Sequence, residues 1–364
     1  MNILKILSSN KKMNETGGEP TWKVNNGTLT ISGKGEMPTY KVFFPPWAKH
    51  REAINTVIIE KGLTSIAKQT FSHCNNLTAI TIPKTVTSIG DWAFDNCKNL
   101  TSITIPDSVE SIGKGAFRGC ENLTSIIIPD SVTSIGEDAF ENCKNLTSFI
   151  IPDGVTHIED YAFSDFVNLT SVIIPNGVTS VGDYAFENCK NLTSIIIPNS
   201  VTNIGEGAFC GCENLSSIII PDSVTIIGAE AFYNCKSLTS VIIPNGVTCI
   251  EKGTFAECEN LTSIIIPDTV TSIGEQIFYC CENLTSIIIP ESVASIEDGA
   301  FEGCWLLRSF TNLNPVPITI DFDVFYGLDI NECTLKVPIN SVSAYKNADV
   351  WKEFIVVGIE IDNE

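Results

Sequence analysis

The chain has 364 residues, and 43 acidic side chains against 22 basic ones give it a formal charge of −21. A charge of that sign repels nucleic-acid phosphates and anionic membrane surfaces, so neither class of partner is expected. The chain is 43% apolar and only 18% charged, which suits a large core. It lacks the run of about 18 uncharged apolar residues that would predict a membrane span.

The first 53 residues fall into two parts. Residues 1–19 are polar and predict a disordered tail or a cloning remnant, and their short apolar stretch is interrupted by a lysine, so no signal peptide is predicted. Residues 20–53 predict a capping module, in which Trp22–Asn25 and Thr28–Ser32 flank an Asn-Gly pair that favours a β-hairpin. We expect this hairpin to cover the first open strand edge of the following sheet.

Residues 54–307 repeat with a period of 23 residues. The unit reads LTSIIIPDSVTSIGEDAFENCKN, as at Leu123–Asn145. A cysteine stands three residues after each repeated phenylalanine, except after Phe163, where Phe166 takes its place. One such coil cannot bury its own apolar face, so stacked coils are expected to form a solenoid. The repeated phenylalanines are Phe71, Phe94, Phe117, Phe140, Phe163, Phe186, Phe209, Phe232, Phe255, Phe278 and Phe301.

Each unit contains the pattern L-x-x-I-x-I, which predicts a short strand. Leu123, Ile126 and Ile128 are expected to face the core, whereas Ser125 and Ile127 face outward. The following proline ends the strand, an Asp-Ser or Asn-Gly pair forms a turn, and the Ala-Phe pair begins a short helical or 3₁₀ turn. The predicted fold is a repeat solenoid with a parallel sheet on its concave face and these short turns on its convex face.

Residues 308–364 predict an irregular C-terminal capping module. Pro315 and Pro317 replace the proline that the period places near residue 313, so the phase is lost there. Ser341 is positioned to cap a short helix that ends near Phe354.

The motif L-x-x-I-x-I-P-x-x-V-x-x-I-G-x-x-A-F-x-x-C-x-N resembles the BspA-type leucine-rich repeat of surface proteins from anaerobic bacteria. Trp22–Gly33 is similar to the entry module of that family, and Cys333–Phe354 is similar to its closing module. The resemblance implies a leucine-rich-repeat solenoid that is capped at both ends. It also implies a cell-surface or secreted protein that adheres to host extracellular-matrix or plasma proteins, or to other bacterial surfaces.

The repeat cysteines stand one per coil. A disulfide or metal ladder is one interpretation, but metal sites need closely spaced pairs with further ligands nearby, whereas buried thiols suit a strict period. We predict no metal, and a structural role for Cys97, Cys120, Cys143, Cys189, Cys212, Cys235 and Cys258. Cys210, Cys249 and Cys280 are expected to lie outside this ladder and to be more exposed.

Two polar columns also follow the period. The Asn of each N-L-[ST] triplet could accept a glycan, but we expect it to satisfy backbone groups at the turn into the strand. The Asp after each proline could bind Ca²⁺, yet one carboxylate per coil does not supply six to eight oxygens around one point, so a turn-forming role is predicted. Its members are Asp107, Asp130, Asp153, Asp222 and Asp268.

Catalytic chemistry has little support in the sequence. The chain has 3 His, of which His73 adjoins Cys74, and adjacent residues rarely point correctly for an activated thiol. None of the common nucleophile, phosphate-binding or zinc motifs occurs in its structural context. We therefore predict that the protein is not an enzyme, with no catalytic residue and no cofactor.

The outward strand positions predict a binding surface. Isoleucine occupies this position in eight successive coils, with serine two residues earlier on the same face, although β-branched residues also simply suit strands. The predicted site consists of Ser125, Ile127, Ser148, Ile150, Ser171, Ile173, Ser194, Ile196, Ser217, Ile219, Ser240, Ile242, Ser263, Ile265, Ser286 and Ile288.

Two functions of different classes follow. The first is a non-enzymatic adhesion protein that engages protein partners through the concave strand face. The second is an intracellular, cytoplasmic scaffold or self-assembling structural protein, which the many reduced-looking cysteines and the missing signal peptide favour.

Overall fold

In the computed structural model, the described residues are 20–40 and 45–360, so the predicted tail 1–19 lies outside them. They form the predicted solenoid of 23-residue coils, and they divide into two compact units. The first unit contains the described residues up to Leu146 together with Ile150–Val155. The second contains Thr147–Phe149 and the described residues from Thr156 onward.

Each coil of the first unit contributes two short strands, because the chain is extended twice per period. The first unit contains one 3₁₀ segment, Ala48–Ala53, and the strands β1 (Thr21–Asn25), β2 (Thr28–Ser32), β3 (Thr56–Ile59), β4 (Ser65–Ile66), β5 (Ala79–Thr81), β6 (Ser88–Ile89), β7 (Ser102–Thr104), β8 (Ser111–Ile112), β9 (Ser125–Ile127) and β10 (Ser134–Ile135).

The second unit repeats the same two-strand coil and ends in a module with short helical segments. Its strands are β11 (Ser148–Ile150, the last residue belonging to the first unit), β12 (His157–Ile158), β13 (Ser171–Ile173), β14 (Ser180–Val181), β15 (Ser194–Ile196), β16 (Asn203–Ile204), β17 (Ser217–Ile219), β18 (Ile226–Ile227), β19 (Ser240–Ile242), β20 (Cys249–Ile250), β21 (Ser263–Ile265), β22 (Ser272–Ile273), β23 (Ser286–Ile289), β24 (Ser295–Ile296), β25 (Ser309–Asn312), β26 (Thr334–Pro338) and β27 (Ile355–Ile359). One helix, α1 (Val342–Tyr345), and the 3₁₀ segments Phe322–Phe325, Ile330–Glu332, Ile339–Ser341 and Trp351–Glu353 accompany β26 and β27.

The predicted hairpin at the N-terminal end is confirmed. β1 pairs antiparallel with β2, and β2 pairs parallel with β3, the first strand of the repeat. Asn26 and Gly27 have φ values of 48° and 80°, which the tight turn requires. The hairpin therefore continues the sheet of the first unit and covers the edge of β3.

Successive coils stack in register, because equivalent residues of neighbouring coils pair. Ser194 pairs with Ser217 and Ile196 with Ile219 in the first strand of each coil, and Ile204 pairs with Ile227 in the second. Beneath them the phenylalanines of each unit stack in a column; the rings of Phe186 and Phe209 are 5.5 Å apart and nearly parallel. The core of each unit is therefore a set of ladders of identical side chains.

The segment around each phenylalanine is a run of hydrogen-bonded turns instead of the expected helical or 3₁₀ turn. The N–H groups of Trp92, Phe94 and Asn96 donate to carbonyls of the next coil at 2.7–2.8 Å. The intervening N–H groups donate within their own coil, three residues back. Trp92 and Asn96 have φ values of 50° and 57°, so the chain alternates between conformations and no helix can form.

The parallel ladder continues past the predicted module boundary at residue 307, which itself stays a prediction. β23, β25, β26 and β27 form one sheet. Ser341 does precede a helix, but α1 has a single turn, and the Ser341 hydroxyl donates to the Pro315 carbonyl at 2.7 Å instead of capping it. The expected helix to Phe354 is therefore wrong, because Val350 has a φ of 64°, which a right-handed helix cannot contain.

Candidate binding face

The outward isoleucines lie where the period predicts. In the second unit their exposed fractions run from 57% to 81%, whereas their neighbours Ile195, Ile218 and Ile264 are at most 8% exposed. We call this surface the isoleucine–serine face, and it comprises Ser171, Ile173, Ser194, Ile196, Ser217, Ile219, Ser240, Ile242, Ser263, Ile265, Ser286 and Ile288. The remaining predicted residues Ser125, Ile127, Ser148 and Ile150 are exposed in the same way, with Ile127 at 77% and Ile150 at 73%.

Strand pairing brings the isoleucines together. Ile173 pairs with Ile196, Ile196 with Ile219, and Ile242 with Ile265. Adjacent parallel strands are about 4.8 Å apart. The exposed side chains thus form contiguous apolar rows instead of isolated surface residues.

The serine and threonine hydroxyls of this surface differ in a way that the sequence did not reveal. The hydroxyl of Thr170 donates to the Thr147 carbonyl at 3.2 Å, and that of Thr262 donates to the Thr239 carbonyl at 3.0 Å. Among the described residues, the face's serine hydroxyls make no such bond, and all of them belong to exposed residues. The serine hydroxyls of the face are therefore available to a partner, whereas the hydroxyls of Thr170 and Thr262 link neighbouring coils by hydrogen bonds.

The ladder cysteines are buried free thiols that bond to backbone carbonyls of the preceding coil. All described cysteines are free thiols, and each predicted ladder residue is buried. The thiols of Cys97 and Cys258 donate to the carbonyls of Phe71 and Phe232 at 3.2 and 3.3 Å. Burial raises the pKa of the Cys258 thiol to about 12, which keeps it protonated at neutral pH. Cys210, Cys249 and Cys280 are half-buried, as expected for residues outside the ladder.

The asparagine column does something other than predicted. Most of these side chains bond one another across coils: the Asn122 amide donates to Asn99 Oδ1 at 3.4 Å, and that of Asn145 donates to Asn122 Oδ1 at 3.3 Å. The expected backbone contact occurs at Asn76, whose amide donates to the Glu52 carbonyl at 2.8 Å, and at Asn283, whose amide donates to the Glu259 carbonyl at 2.9 Å. Exact stacking of identical amides makes the side-chain ladder possible.

The residues after each proline form the predicted turns. The N–H of Val132 donates to the Pro129 carbonyl at 3.0 Å, which closes a four-residue turn containing Asp130. The Ser131 hydroxyl donates to the Val109 carbonyl of the previous coil at 2.7 Å. Within the described residues, no group of three or more His, Cys, Asp or Glu side chains could hold a metal ion.

The first unit also contains a cleft that no sequence pattern predicted. It has a volume of about 1160 Å³ and is lined by Tyr40, Ser72, His73 and Asp95 among others. Asp95 Oδ2 lies 3.2 Å from the Ser72 hydroxyl and 3.6 Å from His73 Nε2, so the carboxylate stands between the other two groups. A nucleophilic triad needs the imidazole in the middle, so this arrangement does not activate the serine.

Cys74, the other residue considered beside His73, points into the core. It is 0% exposed, and burial raises the pKa of its thiol to about 12. A thiol with that pKa is protonated at neutral pH and is a weak nucleophile. The structure therefore gives His73 and Cys74 no shared chemistry.

Charge is unevenly divided along the chain. Residues 20–40 and 45–146 carry 11 basic and 12 acidic side chains, a formal charge of −1. Residues 156–360 carry 7 basic and 26 acidic side chains, a formal charge of −19. The unit that presents the isoleucine–serine face is thus the strongly acidic one. No helix in the described part of the chain is long and apolar enough to cross a bilayer.

The fold and the repeating strand face define a leucine-rich-repeat solenoid. A family model described as "BspA type Leucine rich repeat region (6 copies)" matches residues 49–166, 156–279 and 225–349. The chain belongs to this BspA-type leucine-rich-repeat family, as its repeat motif indicated. The family is typically non-enzymatic.

Solved structures agree on the fold. A leucine-rich repeat protein from Bacteroides ovatus ATCC 8483 is 26% identical over 94% of this chain and 98% of that chain, with a TM-score of 0.67. The pneumococcal vaccine antigen PcpA is 16% identical over 98% of this chain and 100% of that chain, with a TM-score of 0.51, which shows the fold alone. A comparison with curated proteins found no match.

Proposed function

We propose that the protein is a non-enzymatic binding protein that takes protein partners on the isoleucine–serine face. The observation that carries this proposal is the exposure of six isoleucines, from 57% to 81%, on neighbouring coils of one unit. Leucine-rich-repeat solenoids commonly mediate contacts between proteins.

The size of the apolar surface supports contact with a partner. Burying an exposed isoleucine stabilises a complex by roughly 1.5–3 kcal/mol, which corresponds to roughly 60–120 Å² of apolar area. Six such side chains present a few hundred Å², the size at which exposed apolar patches on monomeric proteins usually have a function. The free serine hydroxyls beside them can satisfy polar groups of the partner.

The uniform chemistry of the isoleucine–serine face favours binding of varied partners over selective binding of one. It repeats two side-chain types, so it offers few distinct contacts with which to discriminate between partners. The −19 charge of residues 156–360 attracts basic partners and raises their association rate more than their affinity. Association should therefore slow as ionic strength rises.

Location and partner class rest on the family. We propose a cell-surface or secreted protein that adheres to host extracellular-matrix or plasma proteins, or to other bacterial surfaces. Membership of the BspA-type family supports this proposal, and a uniform isoleucine–serine face on a strongly acidic unit is compatible with it.

The test is a surface-plasmon-resonance screen of immobilised matrix and plasma proteins against the full chain and an Ile196→Asp/Ile219→Asp variant. Two buried carboxylates in the interface would lower affinity by at least about tenfold. Ile226→Asp is the matched control, because Ile226 is 57% exposed on β18, outside the face. Equal binding by the face variant and the wild type would remove this face from the function.

A further inference from the structure

The last strand of the second unit leaves backbone groups without partners. β27 pairs parallel with β26, and the N–H of Ile355 donates to the Cys333 carbonyl at 3.1 Å. Backbone groups alternate sides along a strand, so residues 355, 357 and 359 bond toward β26. The N–H and C=O groups of Val356 and Gly358 point to the opposite edge, where β27 is the last strand of its sheet and no described residue bonds them.

The side chains of β27 make this edge suited to pairing. The strand reads IVVGI, without charge or proline, and Ile355 and Val357 are 51% and 42% exposed. Natural edge strands are usually protected by a charged residue, a proline or a bulge. The edge strand at the other end of the chain, β1, contains Lys23, whereas β27 has no such protection.

Residues 334–360, which include β26 and β27, carry no net charge, unlike the rest of their unit. Residues 334–360 contain three basic side chains, Lys336, Lys346 and Lys352, and three acidic ones, Asp349, Glu353 and Glu360. All of the −19 charge of residues 156–360 therefore comes from residues 156–333. Two copies repel through most of this unit, but β27 itself carries no charge, so like-charge repulsion is weakest where two β27 edges meet.

We propose that β27 pairs antiparallel with β27 of a second copy, forming a two-fold dimer about Val357. In this register Val356 and Gly358 of one copy exchange hydrogen bonds with Gly358 and Val356 of the other, which satisfies every outward group of both strands. Val357 faces Val357 of the second copy in a non-hydrogen-bonded pair, and Ile355 faces Ile359. The edge is self-complementary, as a two-fold interface requires.

The dimer would change how the protein binds. Pairing at β27 leaves the isoleucine–serine face of each copy open, so a dimer presents two such faces. Two linked faces bind a multivalent surface more tightly than one face does, without any new contact. The dimer itself does not depend on the proposed function of that face.

Sedimentation equilibrium of the full chain tests the proposal with two variants. Val356→Pro removes an outward N–H but leaves the bonds to β26, because proline is tolerated where the N–H faces solvent on an edge strand. Val357→Lys places two ammonium groups opposite each other. We expect a reversible wild-type dimer and a dissociation constant at least about tenfold larger for each variant.

Ile219→Lys is the matched control, since it charges an exposed isoleucine on β17, away from the β27 edge, and should leave dimerisation unchanged. Val357→Cys gives a second readout: a Cα separation of about 4.5 Å in such a pair permits a disulfide, so mild oxidation should yield a 357–357 cross-link detectable by mass spectrometry. A strictly monomeric wild type would overturn the proposal. So would a dimer that Ile219→Lys abolishes and Val357→Lys does not affect.

Discussion

The thiol of Cys212 donates a hydrogen bond of 3.3 Å to the carbonyl oxygen of Phe186 in the preceding coil. The same carbonyl accepts the N–H of Cys189 within its own coil, also at 3.3 Å. One oxygen thereby joins two coils, and the ladder cysteines repeat this contact along each unit. The cysteine column therefore links neighbouring coils by hydrogen bonds, and its small apolar side chains also pack in the core.

Replacing a ladder cysteine should destabilise the second unit. Cys212→Ala removes the bond to Phe186 and leaves a small cavity at a fully buried site, so we expect the free energy of unfolding to fall by about 1–2 kcal/mol. Urea denaturation followed by circular dichroism measures the change. Cys210→Ala, at a half-buried position two residues away, should cost less than about 0.5 kcal/mol; similar costs for both variants would contradict a bonding role.

Alkaline pH should unfold the protein through the same thiols. Burial raises the pKa of Cys74 and of Cys258 to about 12 from the ordinary value of 9.0, so the folded chain holds these protons where the unfolded chain releases them. Their contribution is fully present below about pH 9 and is lost as the pH rises toward about 12, by up to about 1.4 kcal/mol per pH unit and thiol.

Urea midpoints measured between about pH 7 and about pH 11 in reducing buffer check this expectation. Cys258→Ala should show a shallower decline than the wild type, because one titrating thiol is gone. A midpoint that stays constant across the range would contradict it.

From Tyr184 to Gly299, non-glycine residues and glycines alternate at one left-handed position of the coil, and this alternation should affect stability. Tyr184 and Gly207 have φ values of 54° and occupy equivalent places in adjacent coils, with the tyrosine ring lying where a Cβ on Gly207 would stand. Gly207→Ala should cost about 1–3 kcal/mol of unfolding free energy, from backbone strain and from displacement of the ring.

A double-mutant cycle separates the two causes. In a Tyr184→Ala background, Gly207→Ala keeps the strain but has no ring to displace, so the cost should fall to about 1 kcal/mol. Equal costs in the two backgrounds would show that the ring is irrelevant.

Interrupting the aromatic column should be the most damaging single change in the core. Phe209 is 0% exposed, and its ring lies 5.5 Å from those of both Phe186 and Phe232. Phe209→Ala should lower the free energy of unfolding by about 3–5 kcal/mol. Phe322→Ala, at a 56% exposed phenylalanine of the same unit, is the control and should change it little. A small loss for Phe209→Ala would mean that the neighbouring coils collapse into the space.

The repeat period was sufficient to predict which way most side chains face. Leu123 and Val132 are buried, Ile127 is exposed, and Cys212 lies in the core while Cys210 does not. Identical coils in register place identical residues in identical surroundings, so position in the 23-residue unit determines burial. The hairpin before β3 could be predicted as well, because its Asn-Gly turn is a local signal.

The partners of polar side chains in neighbouring coils needed the tertiary structure. The bonds of Asn122 to Asn99, of Thr170 to the Thr147 carbonyl and of Ser341 to the Pro315 carbonyl depend on how far one coil is shifted against the next. The turns around each phenylalanine were expected to be helical, but their N–H groups reach the next coil. The repeat period does not specify the distances between atoms of neighbouring coils, so these hydrogen-bond partners could not be predicted from it.

The sequence by itself determined the solenoid, the inward and outward faces and the exposed isoleucine row, because all of these follow from alternation within one coil. Only the tertiary structure decided which hydroxyls are free, that the cleft beside His73 exists, and that β27 turns the backbone groups of Val356 and Gly358 outward. Those features depend on which groups already have a partner in a neighbouring strand or coil, and pairing is a property of the folded chain.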